Sequence, residues 1–278
     1  MTDQQFDFEG LLHAWRSSID DIAQVTAGLD EAGWRAQTPC PGWSVADVVA
    51  HVIDAEAIIA GEPRQDHEPD WGALPHVRSD FGRMTEVGVD ARRGWAPSAL
   101  QAELTRVVDL RQRQLVDGPH DLSAEVAAFA ASTLPLGRLL TMRTFDTWVH
   151  SQDIRDAIAL PGGLGSDGAQ VCADLMFSAL PRIWGKSVAA PVGAVLLVEV
   201  TGPGIVRAAE VEVMADGRAA MRPTSADAPG QATVTVRGSW PAVMRAMSGR
   251  ALEDADGPQV FGDADLRSRL RPALNVAP

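Results

Sequence analysis

The sequence lacks the features of secreted and membrane proteins. It has only two cysteines among 278 residues, and its densest apolar run, residues 194–200, is far shorter than the roughly 18 apolar residues of a membrane helix. Cys40 and Cys172 are too few for a disulfide framework and are not spaced as metal ligands. The first ten residues are acidic and polar, unlike a signal peptide. We therefore expect a cytoplasmic protein in a reducing compartment.

Basic residues are also scarce. Lys and Arg total 24 against 37 Asp and Glu, which gives a formal net charge of −13. Nucleic acids and anionic membranes are recognised by basic surfaces, so this balance argues against either as the main partner. Tyrosine is absent, whereas Trp occurs eight times and Ala, Arg, Asp and Gly are frequent. Such a composition is typical of a GC-rich genome.

The overall composition is typical of a globular protein with a substantial core. Hydrophobic residues make up 46% and charged residues 22% of the chain. At this length we expect two domains. No internal repeat is visible.

The first 163 residues show the periodicity of helices. Apolar spacing predicts helices over about 8–29, 44–60, 98–116 and 137–160, the last one ended by a Pro-Gly-Gly stop. Ser44, followed by Asp47 three residues later, predicts a capping box. Residues 61–97, rich in Pro, Gly, Asp and His, predict a long, partly irregular connection. Residues 1–163 are thus expected to form a four-helix bundle.

The pattern changes after residue 163. A helix is predicted over about 168–184, followed by strands over 194–200, 209–214 and 232–237. Asp216-Gly217 predicts a hairpin turn between the second strand and residues 219–222. Short helices are expected at 240–247 and 264–270. The fold class is therefore mixed, a helical bundle followed by a smaller α+β domain over residues 164–278.

Three residues of ligand type fall on inward helix faces of the predicted bundle. Asp146 and His150 stand four residues apart, so they share one face of the strongest helix. His51 lies within the apolar stripe of another helix. Two histidines and one carboxylate leave a coordination position open, as catalytic zinc sites do. The residues alone also allow a hydrogen-bonded core histidine and a surface pair.

Three segments of the chain resemble a known family. Residues 34–51, WRAQTPCPGWSVADVVAH, and residues 143–155, RTFDTWVHSQDIR, resemble the two metal-binding segments of the mycothiol-dependent maleylpyruvate isomerase family, a group of DinB-like metal-binding bundles. Residues 234–252, VTVRGSWPAVMRAMSGRAL, are similar to the family's sterol-carrier-protein-type second domain. The resemblance implies a divalent metal, best suited to zinc, on His51, Asp146 and His150. The sequence departs from the family's pattern at Asp146, where the family usually has the longer Glu.

The resemblance also implies a reaction. Mycothiol, the low-molecular-weight thiol of actinobacteria, would be the cosubstrate, deprotonated by the metal. Its sulfur would add to an activated alkene diacid; bond rotation and expulsion of the thiol would complete a cis–trans isomerisation. Retention of the thiol on a small electrophile would instead make the protein a mycothiol S-transferase. The alternative is a non-enzymatic carrier of a small molecule or lipid, with the metal stabilising the bundle.

A carboxylate substrate would need a positively charged clamp. The resemblance implies an arginine from the C-terminal domain, with Arg250 the first choice and Arg237 the second; either could also be a solvated surface residue.

Several other residues are candidates near the site. We expect Asp153 to accept a hydrogen bond from a ligating histidine, and Trp43 and Trp148 to form pocket walls or core. Cys40 is expected to be a structural thiol. His67, His76 and His120 are expected to be solvated in polar loops.

Overall fold

The computed structural model describes residues 6–129, 132–223, 232–250 and 256–277. The chain divides into two compact units, Met1–Gly163 and Leu164–Pro278. No helix within the described residues is long and apolar enough to cross a membrane. Residues 1–5, at the start of the polar N-terminal segment, and residues 251–252, at the end of the C-terminal motif, lie outside the described residues.

The first unit is mainly helical. Its helices are α1 (Phe8–Thr26), α2 (Glu31–Arg35), α3 (Val45–Ile59), α4 (Asp80–Asp90), α5 (Pro97–Asp117) and α6 (Leu136–Ala157), with a 3-10 turn at Trp71–Ala73. A small antiparallel hairpin, β1 (Glu125–Ala127) and β2 (Thr133–Pro135), precedes α6. Helix α1 packs along α6, and α3 packs against α4, α5 and α6.

Helix α3 is the most buried helix of the first unit because its sequence is apolar almost all round. It begins with the predicted capping box. Ser44 Oγ accepts a hydrogen bond from the amide of Asp47 at 3.3 Å, and Asp47 Oδ2 accepts one from the amide of Ser44 at 2.8 Å. These bonds satisfy amides that a helix start leaves unpaired. The entry of the chain into α3 is thereby defined, with His51 two turns further on.

The connection at residues 61–97 is more ordered than predicted. Helix α4 occupies Asp80–Asp90 and begins at Ser79, whose hydroxyl accepts from the amide of Gly82. The rest of the segment is irregular, as predicted, but helix α4 was not predicted, because it has few apolar residues. It is stabilised by tertiary contact, with Glu86 and Val89 buried.

The second unit combines helices with one five-stranded sheet. Its elements are α7 (Asp167–Ser178), α8 (Leu180–Arg182), a π turn (Ile183–Ser187), β3 (Val195–Thr201), β4 (Arg207–Val213), β5 (Ala219–Arg222), β6 (Val234–Ser239), α9 (Trp240–Met247), β7 (Gln259–Gly262) and α10 (Ala264–Ala273). The strand order is β5-β4-β3-β6-β7, and only the β3–β6 pairing is parallel. The mixed fold class is confirmed.

Candidate metal centre

The three predicted ligand residues come together in the first unit. His51 lies on α3, whereas Asp146 and His150 lie one turn apart on α6. His51 Nε2 is 3.2 Å from Asp146 Oδ2 and 3.4 Å from Oδ1, and His150 Nε2 is 3.7 Å from Asp146 Oδ1. One ligand atom from each residue can be chosen so that all lie within 4.8 Å of one another. Residues 95 positions apart in sequence therefore form one cluster.

The spacing of these atoms fits a single metal ion. Around a tetrahedral zinc with ligands at about 2.0–2.2 Å, neighbouring ligand atoms are about 3.3–3.6 Å apart. The observed Asp–His separations of 3.2 to 3.7 Å are close to those values. Imidazole nitrogens and a carboxylate oxygen are also a donor set that zinc favours. The cluster could hold a metal through three residues and keep a fourth position open.

The ring of His150 is oriented by a second contact. Its Nδ1 lies 3.0 Å from Asp153 Oδ2 on the next turn of α6, and both side chains are buried. A carboxylate at Nδ1 favours the tautomer that carries its proton there. The Nε2 atom, which faces Asp146, is then left with a free lone pair. The predicted contact between Asp153 and a histidine of the cluster is confirmed.

Trp43 covers one side of the cluster. Its ring centroid lies 5.0 Å from that of His51 and 5.8 Å from that of His150. The indole Nε1 donates to Glu86 Oε2 at 2.9 Å, which fixes the ring, and only 7% of Trp43 is exposed. An apolar wall of this kind limits the access of water to the histidines. Trp148 is also buried, with its indole donating to the carbonyl of Gly163.

The turn before Trp43 depends on a glycine. Gly42 has φ +78°, and a Cβ there would overlap the ring of His76. That ring is 3.1 Å from Glu86 Oε2, the same atom that accepts from Trp43. The prediction that His76 is solvated was therefore wrong, because α4 brings a buried carboxylate to it.

The other two loop histidines also have partners. His67 lies 2.7 Å from Asp90 Oδ2, and its side chain is 32% exposed, so it is partly solvated, as predicted, and also paired. The exposed ring of His120 stacks on Phe8 at 4.2 Å between centroids. Cys40 is partly exposed and forms no disulfide.

A buried charge network adjoins Asp146. Arg143 Nη1 donates to Asp146 Oδ2 at 2.9 Å, and its Nε donates to Glu56 Oε1 at 2.8 Å. Glu56 has no exposed surface and also accepts from the indole of Trp15 at 3.1 Å. Arg111 Nε lies 3.6 Å from the other oxygen of Glu56. Sequence reasoning missed Glu56 and Arg111; the available signal for Glu56 was the presence of two acids, Asp54 and Glu56, in the apolar run of α3.

The electrostatics keep the cluster ready to bind a cation at neutral pH. Burial acts to raise the pKa of Asp146, but the charges of Arg143, His51 and His150 outweigh it and hold that pKa well below its ordinary value. Burial lowers the pKa of His150, helped by His51 and opposed by Asp146 and Asp153. An ionised carboxylate and a neutral imidazole are the forms that bind metals.

Comparison with known proteins places the fold and the cluster in one family. Residues 15–155, just over half of the chain, match the family described as the mycothiol maleylpyruvate isomerase N-terminal domain. The chain belongs to this family. The resemblance seen in the sequence is confirmed, and the matched residues include the whole cluster of His51, Asp146 and His150.

Solved structures of a relative share the fold of this family member. The crystal structure of the mycothiol-dependent maleylpyruvate isomerase has 19% sequence identity and a TM-score of 0.57, and a histidine-to-alanine variant has 18% identity and the same score. Each alignment covers 95% of this chain and 97% of the other. No curated protein matches the sequence.

The predicted arginines of this family member lie in its second unit. Arg237 is on β6, exposed, and its Nη2 pairs with Glu199 on the neighbouring strand β3 at 2.5 Å. Arg250 follows α9, and its Nη1 donates to the carbonyl of Ser248 at 2.6 Å. A role of either residue as a substrate clamp stays a prediction.

Proposed function

We propose that the chain is a metal-dependent enzyme that uses mycothiol as a thiol cosubstrate. Its second substrate would be a small electrophile, of a class that includes carboxylates. The observation that carries this proposal is the gathering of His51, Asp146 and His150 in a member of the mycothiol maleylpyruvate isomerase family. The first reaction proposed is a cis–trans isomerisation like that of the crystallised relative. The second is transfer of the thiol to the electrophile.

The chain's own residues would prepare the site in three ways. His51, Asp146 and His150 would hold a divalent metal, with zinc the best match to the donor set. Asp153 would keep the Nε2 lone pair of His150 directed at the ion. When bound, such a metal lowers the pKa of a coordinated thiol and so supplies a thiolate at neutral pH.

The two reactions share their first bond. The thiol sulfur adds to one alkene carbon, and a proton or delocalised charge balances the other carbon. In isomerisation the molecule rotates about the former double bond, which is now single. The carbon–sulfur bond then breaks, the double bond re-forms and the sulfur leaves with its electron pair, so the thiol is regenerated. In S-transfer the carbon–sulfur bond is kept and the thiol is consumed.

A thiol-dependence assay tests the proposal. The purified protein, loaded with zinc, is incubated with maleylpyruvate and with mycothiol or glutathione, and substrate and thiol are followed together. We expect turnover with mycothiol and much slower turnover with glutathione, because the sugar–inositol part of mycothiol contributes its own binding contacts. If the substrate is isomerised while the thiol concentration stays constant, the protein is an isomerase.

Other products distinguish the remaining possibilities. Loss of thiol with formation of an S-conjugate, tested against a panel of small electrophiles, identifies a transferase. Equal rates with any small thiol would contradict the dependence on mycothiol. Binding of electrophiles without any consumption or conversion would indicate the non-enzymatic carrier. Arg250→Ala, compared with Arg237→Ala, tests the clamp through an increase in KM for a carboxylate substrate.

A further inference from the structure

Arg143 joins the two helices that carry the candidate ligands. Its guanidinium donates from Nη1 to Asp146 on its own helix α6 and from Nε to Glu56 on α3, five residues after His51. Only 5% of the Arg143 side chain is exposed. A planar guanidinium can hold two carboxylates in fixed directions at once. Arg143 thus links the position of Asp146 to the helix of His51.

Glu56 gives this link its rigidity. The carboxylate has no exposed surface and is held by Trp15 on α1 as well as by Arg143, with Arg111 on α5 close to its second oxygen. A buried carboxylate with these partners cannot exchange them for water without a large cost. The guanidinium of Arg143 is therefore anchored on one side by residues from three other helices of the same unit, α1, α3 and α5.

The two oxygens of Asp146 have different neighbours. Oδ2 accepts from Arg143 at 2.9 Å. Oδ2 also lies 3.2 Å from Nε2 of His51. Oδ1 lies 3.4 Å from Nε2 of His51 and is the oxygen of Asp146 nearer to Nε2 of His150, at 3.7 Å. Oδ1 is consequently the oxygen best placed to share an ion with both histidines.

We propose that Arg143 is a positioning residue: it reserves Oδ2 of Asp146, so that this carboxylate offers one oxygen to a metal and leaves a coordination position for the thiol. The proposal rests on the metal-binding function proposed above. Glu56 acts in the same way one step further out, through Arg143.

Replacement by lysine separates geometry from charge. Arg143→Lys keeps the positive charge next to Asp146 but removes the planar fork that spans two carboxylates. The matched control is Arg155→Lys on the same helix, since Arg155 also donates from two nitrogens to a carboxylate on another helix, Asp21. Zinc affinity is measured against a competing chelator, and coordination is read from the visible absorption of the Co²⁺-substituted protein.

The expected result has two parts. Arg143→Lys should lower zinc affinity by about 10-fold or more, the usual consequence of losing a partner that orients a ligand. Its Co²⁺ absorption should weaken several-fold, because a carboxylate that binds through both oxygens raises the coordination number above four. Arg155→Lys should match the wild type in both measurements. Glu56→Gln should shift both readouts in the same direction as Arg143→Lys, and it decides the question alone if Arg143→Lys does not fold.

Several outcomes would overturn the proposal. Arg143→Lys and Glu56→Gln with wild-type affinity and spectrum, or with tighter zinc binding, would show that Arg143 does not position Asp146. An equal loss in Arg155→Lys would show a general weakening of helix α6. A wild-type protein that takes up neither zinc nor cobalt would overturn the proposed metal function together with this inference, whereas the other outcomes overturn the inference alone.

Discussion

Two buried acids of helix α3, Asp54 and Glu56, stand two residues apart and serve different sides of the first unit. Asp54 faces α4. Two arginines that flank this helix in sequence donate to its carboxylate, Arg92 from Nη1 at 3.2 Å and Arg64 from Nη2 at 2.5 Å. Glu56 faces the opposite way and contacts Arg143 and the indole of Trp15. Both acids are almost completely buried, at 4% and 0% exposure.

The comparison shows that the same chemical arrangement can have different uses. On each side an acid is neutralised by two arginines, which is what burial of a charge demands. On the α4 side the charged contacts among the described residues lead to no further residue of the cluster, and Gly88 of α4 lies directly against the carboxylate of Asp54. On the other side it continues through Arg143 to Asp146. Only the second arrangement reaches the candidate metal centre, so the two sides should respond differently to substitution.

The largest effect is expected at the metal cluster itself. His51→Ala and His150→Ala should each reduce the bound metal from about one per chain to nearly none, because two remaining ligands hold zinc poorly. His67→Ala, which removes a histidine paired with Asp90 outside the cluster, should keep the metal. Elemental analysis of the purified proteins and circular dichroism, as a check on folding, measure this. Unchanged metal in both cluster variants would contradict the assignment.

Breaking the α4 side should cost stability and spare the metal. Asp54→Ala leaves the buried Arg92 without its paired carboxylate, and such a loss is expected to cost about 3–5 kcal/mol in the free energy of unfolding. Asp20→Ala, which removes an exposed partner of Arg16, should cost about 0–1 kcal/mol. Urea unfolding gives both values, and metal analysis should find wild-type content in each variant. Similar costs for Asp54→Ala and Asp20→Ala would disprove the distinction.

The close helix contact on the α4 side gives a smaller effect. A Cβ at Gly88 would overlap the carboxylate of Asp54, so Gly88→Ala should destabilise the protein by about 1–3 kcal/mol despite the better helix propensity of alanine. Gly94→Ala meets nothing within 4 Å and should change stability by less than about 0.5 kcal/mol. Thermal or urea unfolding compares them. A more stable Gly88→Ala would mean that α3 and α4 are further apart.

The smallest effect is expected from lengthening the carboxylate on the metal side. Asp146→Glu should retain the metal with affinity within a few-fold, because the side chain is 29% exposed and has room for one more methylene group. Asp146→Ala should lose most of its affinity, since an anionic ligand is removed. Metal titration of both variants is the measurement. Full retention by Asp146→Ala would assign the third ligand to another residue.

Local structure was largely predictable from the sequence. The capping box of α3, the helix Trp240–Met247 and the turn at Asp216-Gly217 all depend on residues within one or two turns of each other, and all three are confirmed. The helix predicted to about residue 29 ends instead at Thr26, and the helix predicted over 168–184 ends at Ser178. Such ends depend on capping and on packing as well as periodicity.

Non-local pairing was not predictable. The strands β1, β2 and β7 are three or four residues long and leave too short a pattern to recognise. The parallel pairing of β3 with β6 joins segments separated by the β4–β5 hairpin, and no local signal selects that partner. Helix α4 was not predictable either, because it is stabilised by the burial of Glu86 and Val89 against other elements.

By itself the sequence determined the family, the long helices α1, α3, α5 and α6, and the spacing of Asp146 and His150, because these follow from patterns within short segments. Only the tertiary structure decided that His51 meets them across 95 positions, that Arg143 connects Asp146 to Glu56, and that Asp54 faces the other way. The physical reason is that a buried charge takes its partners from whichever helix is packed against it. Helix packing depends on side chains from the whole unit, whereas periodicity reports only one face of one helix.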